Sequence, residues 1–328
     1  MNNNNIKKDG EQLEILRDYT AAGKEINWKD KKERTLMLAD SYLRLGLKKG
    51  YRVKDCGTYL QFKRFKDNSF KLHTANFCKD RLCPMCIWRR SLKIFGQVSK
   101  VMDTALQEKD YRFIFLTLTC KNVYGNELSS CLDNMYNAFN LLTKRKQFKA
   151  IKGFFRGLEV THNLDINSPD YDTYHPHFHI ILMVNKSYFT DKDYYISQAN
   201  WTSLWKSCLK VDYTPIVNVK AFKTSTRSKT CKSVAETAKY AVKDNDYLID
   251  NEELTDNAVY ILNYALKGRR LVAFGGELRK IHKALNLDDA EKGDLVNTDN
   301  TEELREDIDY IIEKYKWNFG YKQYVKME

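Results

Sequence analysis

The sequence predicts an α+β protein organised around an antiparallel sheet with helices on one face, and three observations carry that expectation. Residues 112–246 alternate between period-two and helical patterns in the order β-α-β-β-α-β, followed by one more helix, which is the order of a ferredoxin-like domain. Within that stretch, Tyr174-His175-Pro176-His177-Phe178-His179-Ile180 puts three imidazoles on one side of a strand, while Phe178, Ile180, Leu182 and Val184 occupy the other. Upstream, Cys56, Cys78, Cys83 and Cys86 are spaced as in closed metal sites.

Composition bounds the class. The chain has 328 residues, 43% of them apolar and 13% aromatic, enough to bury a sizeable core in two or three domains. It has no run of 18 apolar residues, and Met1-Asn-Asn-Asn-Asn-Ile6-Lys-Lys8 lacks the apolar stretch of a signal peptide, so a cytoplasmic protein without membrane contact is expected. In that compartment regular cysteine spacing points to metal ligation rather than disulfides. The net charge is +12, yet residues 288–313 hold eleven acids against two bases, so the rest of the chain is far more basic and suits a polyanionic partner.

In chain order, residues 1–10 are polar, and Trp28 to Leu45 is an amphipathic helix stopped by Gly46. Residues 1–50 make an N-terminal helical segment. Residues 51–108 form a basic metal-binding module and a helix that begins near Trp88-Arg89-Arg90. From Arg44 to Lys71 nine Lys/Arg meet two Asp and interleave with Tyr51, Tyr59, Phe62, Phe65 and Phe70. That pattern suits either base stacking on nucleic acid or a small sheet with a charged outer face. Residues 109–250 are the α+β domain: strands at Arg112–Thr119, Phe154–Thr161, 175–184 and Ile216–Ala221, and helices carrying Leu132 to Leu142, Trp201 to Cys208 and Ser233 to Lys243. Residues 251–328 are a C-terminal segment with an acidic helical tail.

Two clusters carry chemistry. A Cys-x-x-Cys knuckle at Cys83 and Cys86, a third thiol at Cys78 and a fourth at Cys56 make a structural zinc site, with His73 as a substitute ligand. So short a segment lacks a core of its own, and zinc would supply its rigidity. Cys120, Cys131, Cys208 and Cys231 have no such spacing. The histidine strand holds half of the six histidines and is either a divalent-metal platform or a hydrogen-bonded cluster. Across a hairpin, Glu159 can face that row and add an oxygen ligand, which would explain an acid in the apolar context Gly157-Leu-Glu-Val-Thr161. In the last helix Glu236, Tyr240 and Lys243 share a stripe, although Ser233-x-x-Glu236 is also a capping box. The preceding Lys220 to Lys232 is basic and suits phosphate binding. A zinc hydrolase using His175, His177 and His179 would need no tyrosine.

The ordered stretches Phe115-Leu-Thr-Leu-Thr119, His175-Pro-His177-Phe-His179 and Glu236-x-x-x-Tyr240-x-x-Lys243 resemble the motifs of HUH endonucleases. With Asn76 to Arg90 and Lys267 to Gly276, the chain is most similar to the single-tyrosine replication initiators of Gram-positive rolling-circle plasmids. The resemblance implies manganese or magnesium on His177 and His179 with Glu159, attack by Tyr240 on a single-stranded nick site, and a 5′-phosphotyrosine with a free 3′-hydroxyl primer. It implies that Glu236 activates water at termination and that Lys243 stabilises phosphate charge, with His175 a flank and Tyr247 the next tyrosine in line. Implied partners are plasmid origin DNA, a host helicase and a second copy of the chain. An HUH transposase and a non-catalytic zinc-dependent DNA-binding regulator are the alternatives.

Overall fold

In the computed structural model the described residues are 6–8, 11–20, 22–222, 234, 241–298 and 309–328. A short hairpin, β1 (Ile6–Lys8) and β2 (Glu11–Leu13), precedes α1 (Trp28–Arg44), α2 (Lys49–Asp55), β3 (Tyr59–Phe65), β4 (Phe70–Ala75) and α3 (Pro84–Glu108). Then come β5 (Tyr111–Thr119), α4 (Leu128–Leu142), β6 (Ile151–Asn163), β7 (Thr173–Asn185), α5 (Gln198–Leu209) and β8 (Val217–Ala221). The chain continues through α6 (Glu252–Ala265), β9 (Val272–Gly275), α7 (Gly276–Ala284), β10 (Tyr310–Asn318) and β11 (Gln323–Lys326). Asn27 caps α1 by accepting from the Asp30 N–H, and Gly46 follows that helix at φ 72°, the left-handed conformation the stop requires.

The central sheet has five antiparallel strands in the order β8-β5-β7-β6-β9. Its first four strands follow the β-α-β-β-α-β pattern read from the sequence. On one face Phe178 packs against Tyr136 and Phe139 of α4 and Trp205 of α5, so the alternating apolar residues of β7 meet two helices.

The sequence pattern leaves the other face uncovered, and in the structure it is not. Phe155 of β6 packs on Phe274 of β9, Phe274 on His282 of α7, and His282 bonds Gln97 of α3. Helices therefore lie on both faces, and Ile181 and Met183 are fully buried on the side that carries the histidines. Period two names that side but cannot say which distant helix folds over half of it.

The second sheet corrects the C-terminal expectation. Residues 299–308 of the acidic stretch lie outside the described residues, but beyond them the chain forms a β-hairpin rather than a helical tail. Strand β10 pairs with β3, giving the order β11-β10-β3-β4. Tyr315, Trp317 and Tyr324 are buried there, and the Tyr324 hydroxyl donates to the Gly57 carbonyl at 2.6 Å. The acids of this region neutralise cations within the fold: Asp288 pairs with Lys93, Asp289 with Arg270, and Glu313 with Arg64 and Lys326. In β3, Phe62 and Phe65 belong to the core, in line with a sheet bearing a charged outer face, while Tyr51 of α2 stays exposed.

Arg89 and Arg90 are nearly buried, and they bond the carbonyls of Leu295, Val296, Glu291, Asp80 and Lys79, locking α3 to two loops. The helix expected over Ser233 to Lys243 falls largely outside the described residues. Its end differs from that expectation: Ala241 forms a parallel bridge with Glu159, and Val242 and Lys243 are not helical. Among the described residues no helix is long and apolar enough to cross a membrane.

Candidate functional site

The four cysteines converge as their spacing predicts. Cys56 follows α2, Cys78 precedes a turn with Lys79 at φ 57°, and Cys83 and Cys86 open α3. All four are buried, and Sγ pairs of Cys56 with Cys83, Cys56 with Cys86, and Cys78 with Cys86 stand 3.6 Å apart. Four thiolates about 2.3 Å from a tetrahedral ion would lie about 3.8 Å from one another, so the set fits zinc. Backbone N–H groups of Cys78, Lys79 and Asp80 donate to the sulfurs of Cys56, Cys86 and Cys78 respectively, which favours thiolates. Lys32 is fully buried close by and donates to the carbonyls of Lys54 and Cys56. A buried ammonium beside a dianionic tetrathiolate–zinc group is compensated in a way it would not be beside neutral thiols. His73 is exposed on β4 and takes no part.

The second cluster is Glu159, His177 and His179. Register makes it: Glu159 of β6 lies opposite His177 of β7, and Gly157 opposite His179. A single Glu159 oxygen, Oε2, sits 3.2 Å from His177 Nε2 and 2.8 Å from His179 Nε2. Nδ1 of His177 lies 3.2 Å from the His175 carbonyl and must donate to it, while Nδ1 of His179 lies 3.4 Å from the Thr117 hydroxyl. Phe115 stacks on the His179 ring at 5.5 Å.

With Nδ1 protonated, a neutral His177 presents an Nε2 lone pair to a carboxylate oxygen. That lone pair and the anionic oxygen cannot share the space without positive charge between them, supplied by a proton or a metal ion. Burial pushes the Glu159 carboxyl up, but hydrogen bonds and charge from His177 and His179 outweigh it and hold the group far below the usual carboxylate range. Glu159 is therefore ionised and suited to a cation. Burial, then the charge of His177, pushes His175 down and keeps it neutral at the rim.

Lys243 reaches the other Glu159 oxygen, Oε1, at 3.4 Å and keeps about half its side chain exposed, so its ammonium borders the cluster. Tyr240 and Glu236 lie outside the described residues. Tyr247 is fully buried, with its hydroxyl on the Leu82 carbonyl and burial raising its pKa, so it is a structural tyrosine.

Sequence reasoning missed two neighbours. His162 stacks on Tyr174 at 4.3 Å and bridges the Asp246 carbonyl and the Asp172 carboxylate. Asp246 holds a buried oxygen, Oδ2, with no hydrogen-bond partner. Burial pushes its carboxyl up to about 6, with Lys243 and His162 pulling down and Glu159 and Asp244 pushing up. Neither residue shows a motif in sequence, since both depend on the packing of the 244–246 turn against β6.

A four-cysteine group and a two-histidine, one-carboxylate group, each with the ligand atoms to hold a metal ion, stand on a predominantly basic chain. Comparison with known proteins gives its family. The family profile described as Replication protein matches residues 69–325. "Protein rep" of Bacillus amyloliquefaciens is 40% identical over 95% of this chain and 97% of its own. Proteins of the same name from Streptococcus pneumoniae serotype 2 (strain D39 / NCTC 7466) and Lactiplantibacillus plantarum are 40% and 38% identical, covering 91% and 95% of this chain and 92% and 98% of theirs. The chain belongs to the replication protein family. No solved structure matches it.

Proposed function

We propose that this replication protein initiates rolling-circle replication of a plasmid by nicking one strand at the double-strand origin, with Tyr240 as nucleophile. The observation that carries the reading is the approach of His177 Nε2 and His179 Nε2 to one Glu159 oxygen, Oε2, at 3.2 and 2.8 Å, on the strand that bridges to Ala241. The β-α-β-β-α-β order and the strand order β8-β5-β7-β6 support assignment of residues 109–250 to a ferredoxin-like HUH nicking domain.

In this reading His177, His179 and Glu159 would hold manganese or magnesium, and the ion would supply Lewis-acid polarisation of the scissile phosphate. The Tyr240 oxygen bonds to phosphorus and loses its proton, the P–O3′ bond breaks, and the departing oxygen is protonated to the 3′-hydroxyl that primes synthesis. The protein keeps the 5′-phosphate as a phosphotyrosine. Lys243 offsets charge on the phosphate oxygens from its place beside Glu159. Glu236, four residues before Tyr240 in the sequence, takes the proton of the water that ends the round. Cys56, Cys78, Cys83 and Cys86 would hold zinc, which would keep the 51–108 module rigid. Origin DNA is the partner, with a host helicase and a second copy of the chain as further partners, in the cytoplasm.

The test is covalent capture. Wild-type protein incubated with manganese and a nick-site oligonucleotide should become linked to the 5′-phosphate, and Tyr240→Phe should bind the same DNA yet form no adduct. Adduct formation by that variant at the wild-type level would refute the assignment. An HUH transposase would join the strand to unrelated target DNA, and a non-catalytic zinc-dependent regulator would give no adduct.

A further inference from the structure

A second site lies on the opposite face of the sheet from the metal cluster. A cavity of about 320 Å³ opens between α4 and the β6–β9 edge, lined by Tyr136, Phe139, Phe154, Arg156, Arg269 and Arg270 among others. That volume is at the low end of the range of small-ligand sites. Two of its arginines belong to the Lys267–Gly276 stretch, for which the nicking reading has no use.

Arg156 is the informative residue. It is only 6% exposed, yet it makes no ion pair with any carboxylate among the described residues. Its guanidinium stacks within 4.5 Å of the Tyr136 ring, 4.8 Å of Phe178 and 5.0 Å of Phe139. One amino group donates to the Arg270 carbonyl at 3.3 Å, and Nε has no partner. The rings offset part of the loss of hydration, but a buried fork with a free N–H is incomplete until an anion meets it. Burial also lowers the Arg156 pKa, with Tyr136 and Glu291 pulling the other way.

The other two arginines differ in availability. Arg269 is committed to Asp133 at 2.6 Å and to the Ser129 carbonyl. Arg270 pairs with Asp289 at 2.9 Å but is about 60% exposed and can swing. Aromatic walls beside two guanidinium groups match a base carrying a phosphate better than a bare inorganic anion.

We propose that this cavity binds the phosphate of a nucleotide, with Arg156 and Arg270 as its donors and the Tyr136 and Phe139 side as the wall for the base. The nucleotide comes either from single-stranded DNA or from the free pool. The inference is independent of the nicking reading, because it concerns residues on the other face of the sheet.

The test uses the full-length, metal-loaded protein and three probes: a 5-bromodeoxyuridine hexanucleotide, 5-bromodeoxyuridine monophosphate, and inorganic phosphate as competitor. After irradiation the adducts are mapped by peptide mass spectrometry. Adducts in the peptide carrying Tyr136 and Phe139 are expected, and labelling by the hexanucleotide alone assigns the site to a strand, whereas labelling by the monophosphate assigns it to a free nucleotide. Arg270→Gln should weaken capture about tenfold, the loss of one charge-assisted hydrogen bond. Asn140→Trp, at an exposed position on the cavity wall, should block capture at least as strongly while leaving the melting temperature and origin nicking unchanged. Adducts confined to other peptides, or capture unaltered in both variants, would overturn the proposal.

Discussion

The backbone N–H of Val160 donates to the carbonyl oxygen of Ala241 at 2.7 Å, which fastens the segment following Tyr240 to the strand that carries Glu159. A segment some eighty residues downstream thereby becomes a neighbour of the strand that carries Glu159 to the two histidines.

Thr117 orients His179 through Nδ1, so Thr117→Val should weaken manganese binding by roughly 10- to 100-fold without touching a ligand. Calorimetric titration of the full chain reads this directly. Unchanged affinity would mean that the Phe115 stack alone holds the ring.

Glu159→Gln should abolish metal-dependent nicking, because an amide cannot replace the charge that faces both imidazoles. The fold should survive, since Gln keeps the shape of the buried group. Nicking by this variant at the wild-type rate, or wild-type nicking insensitive to chelator, would exclude a catalytic metal here.

Zinc analysis of purified protein should find one ion per chain, and Cys83→Ser should lose it together with thermal stability. The effect should be large, because structural zinc contributes on the order of 10 kcal/mol of apparent binding energy to small modules. Freely titratable thiols in the wild type would contradict the site.

Asp246 supplies a pH test with a definite sign. Its carboxyl rises from 3.8 to about 6 on folding, so the native state binds the extra proton, and this contribution to stability is full below pH 3.8 and lost as pH rises through about 6. Asp246→Asn should therefore gain melting temperature relative to wild type between pH 4 and 6 and hold that gain above. A difference that stays constant across this range would show that Asp246 is not desolvated as described.

Glu236→Gln separates two roles. As a helix cap, glutamine serves as well as glutamate and the change is nearly silent. As the base that activates water at termination, it should leave initial adducts normal while release of completed circles fails, because an amide cannot accept the proton. Wild-type circle release would return Glu236 to capping.

Features set within a few residues of chain were legible in the amino acids alone. The strand carrying His175, His177 and His179, the knuckle of Cys83 and Cys86 with Cys78 just before it, and helices such as Trp28–Arg44 follow from side-chain alternation, knuckle spacing and capping. Even Glu159 was legible, because a hairpin constrains which residues can face each other. The remainder came from packing between distant segments. Only strand pairing across some 250 residues turns the region after the acidic stretch into partners for β3, where Glu313 meets Arg64. Only contacts between remote elements close α3 and α7 over half the histidine face, bury Arg156 without a carboxylate, and leave Asp246 Oδ2 unpaired. Burial and desolvation arise where segments far apart in the chain meet, and no local pattern records which segments those will be.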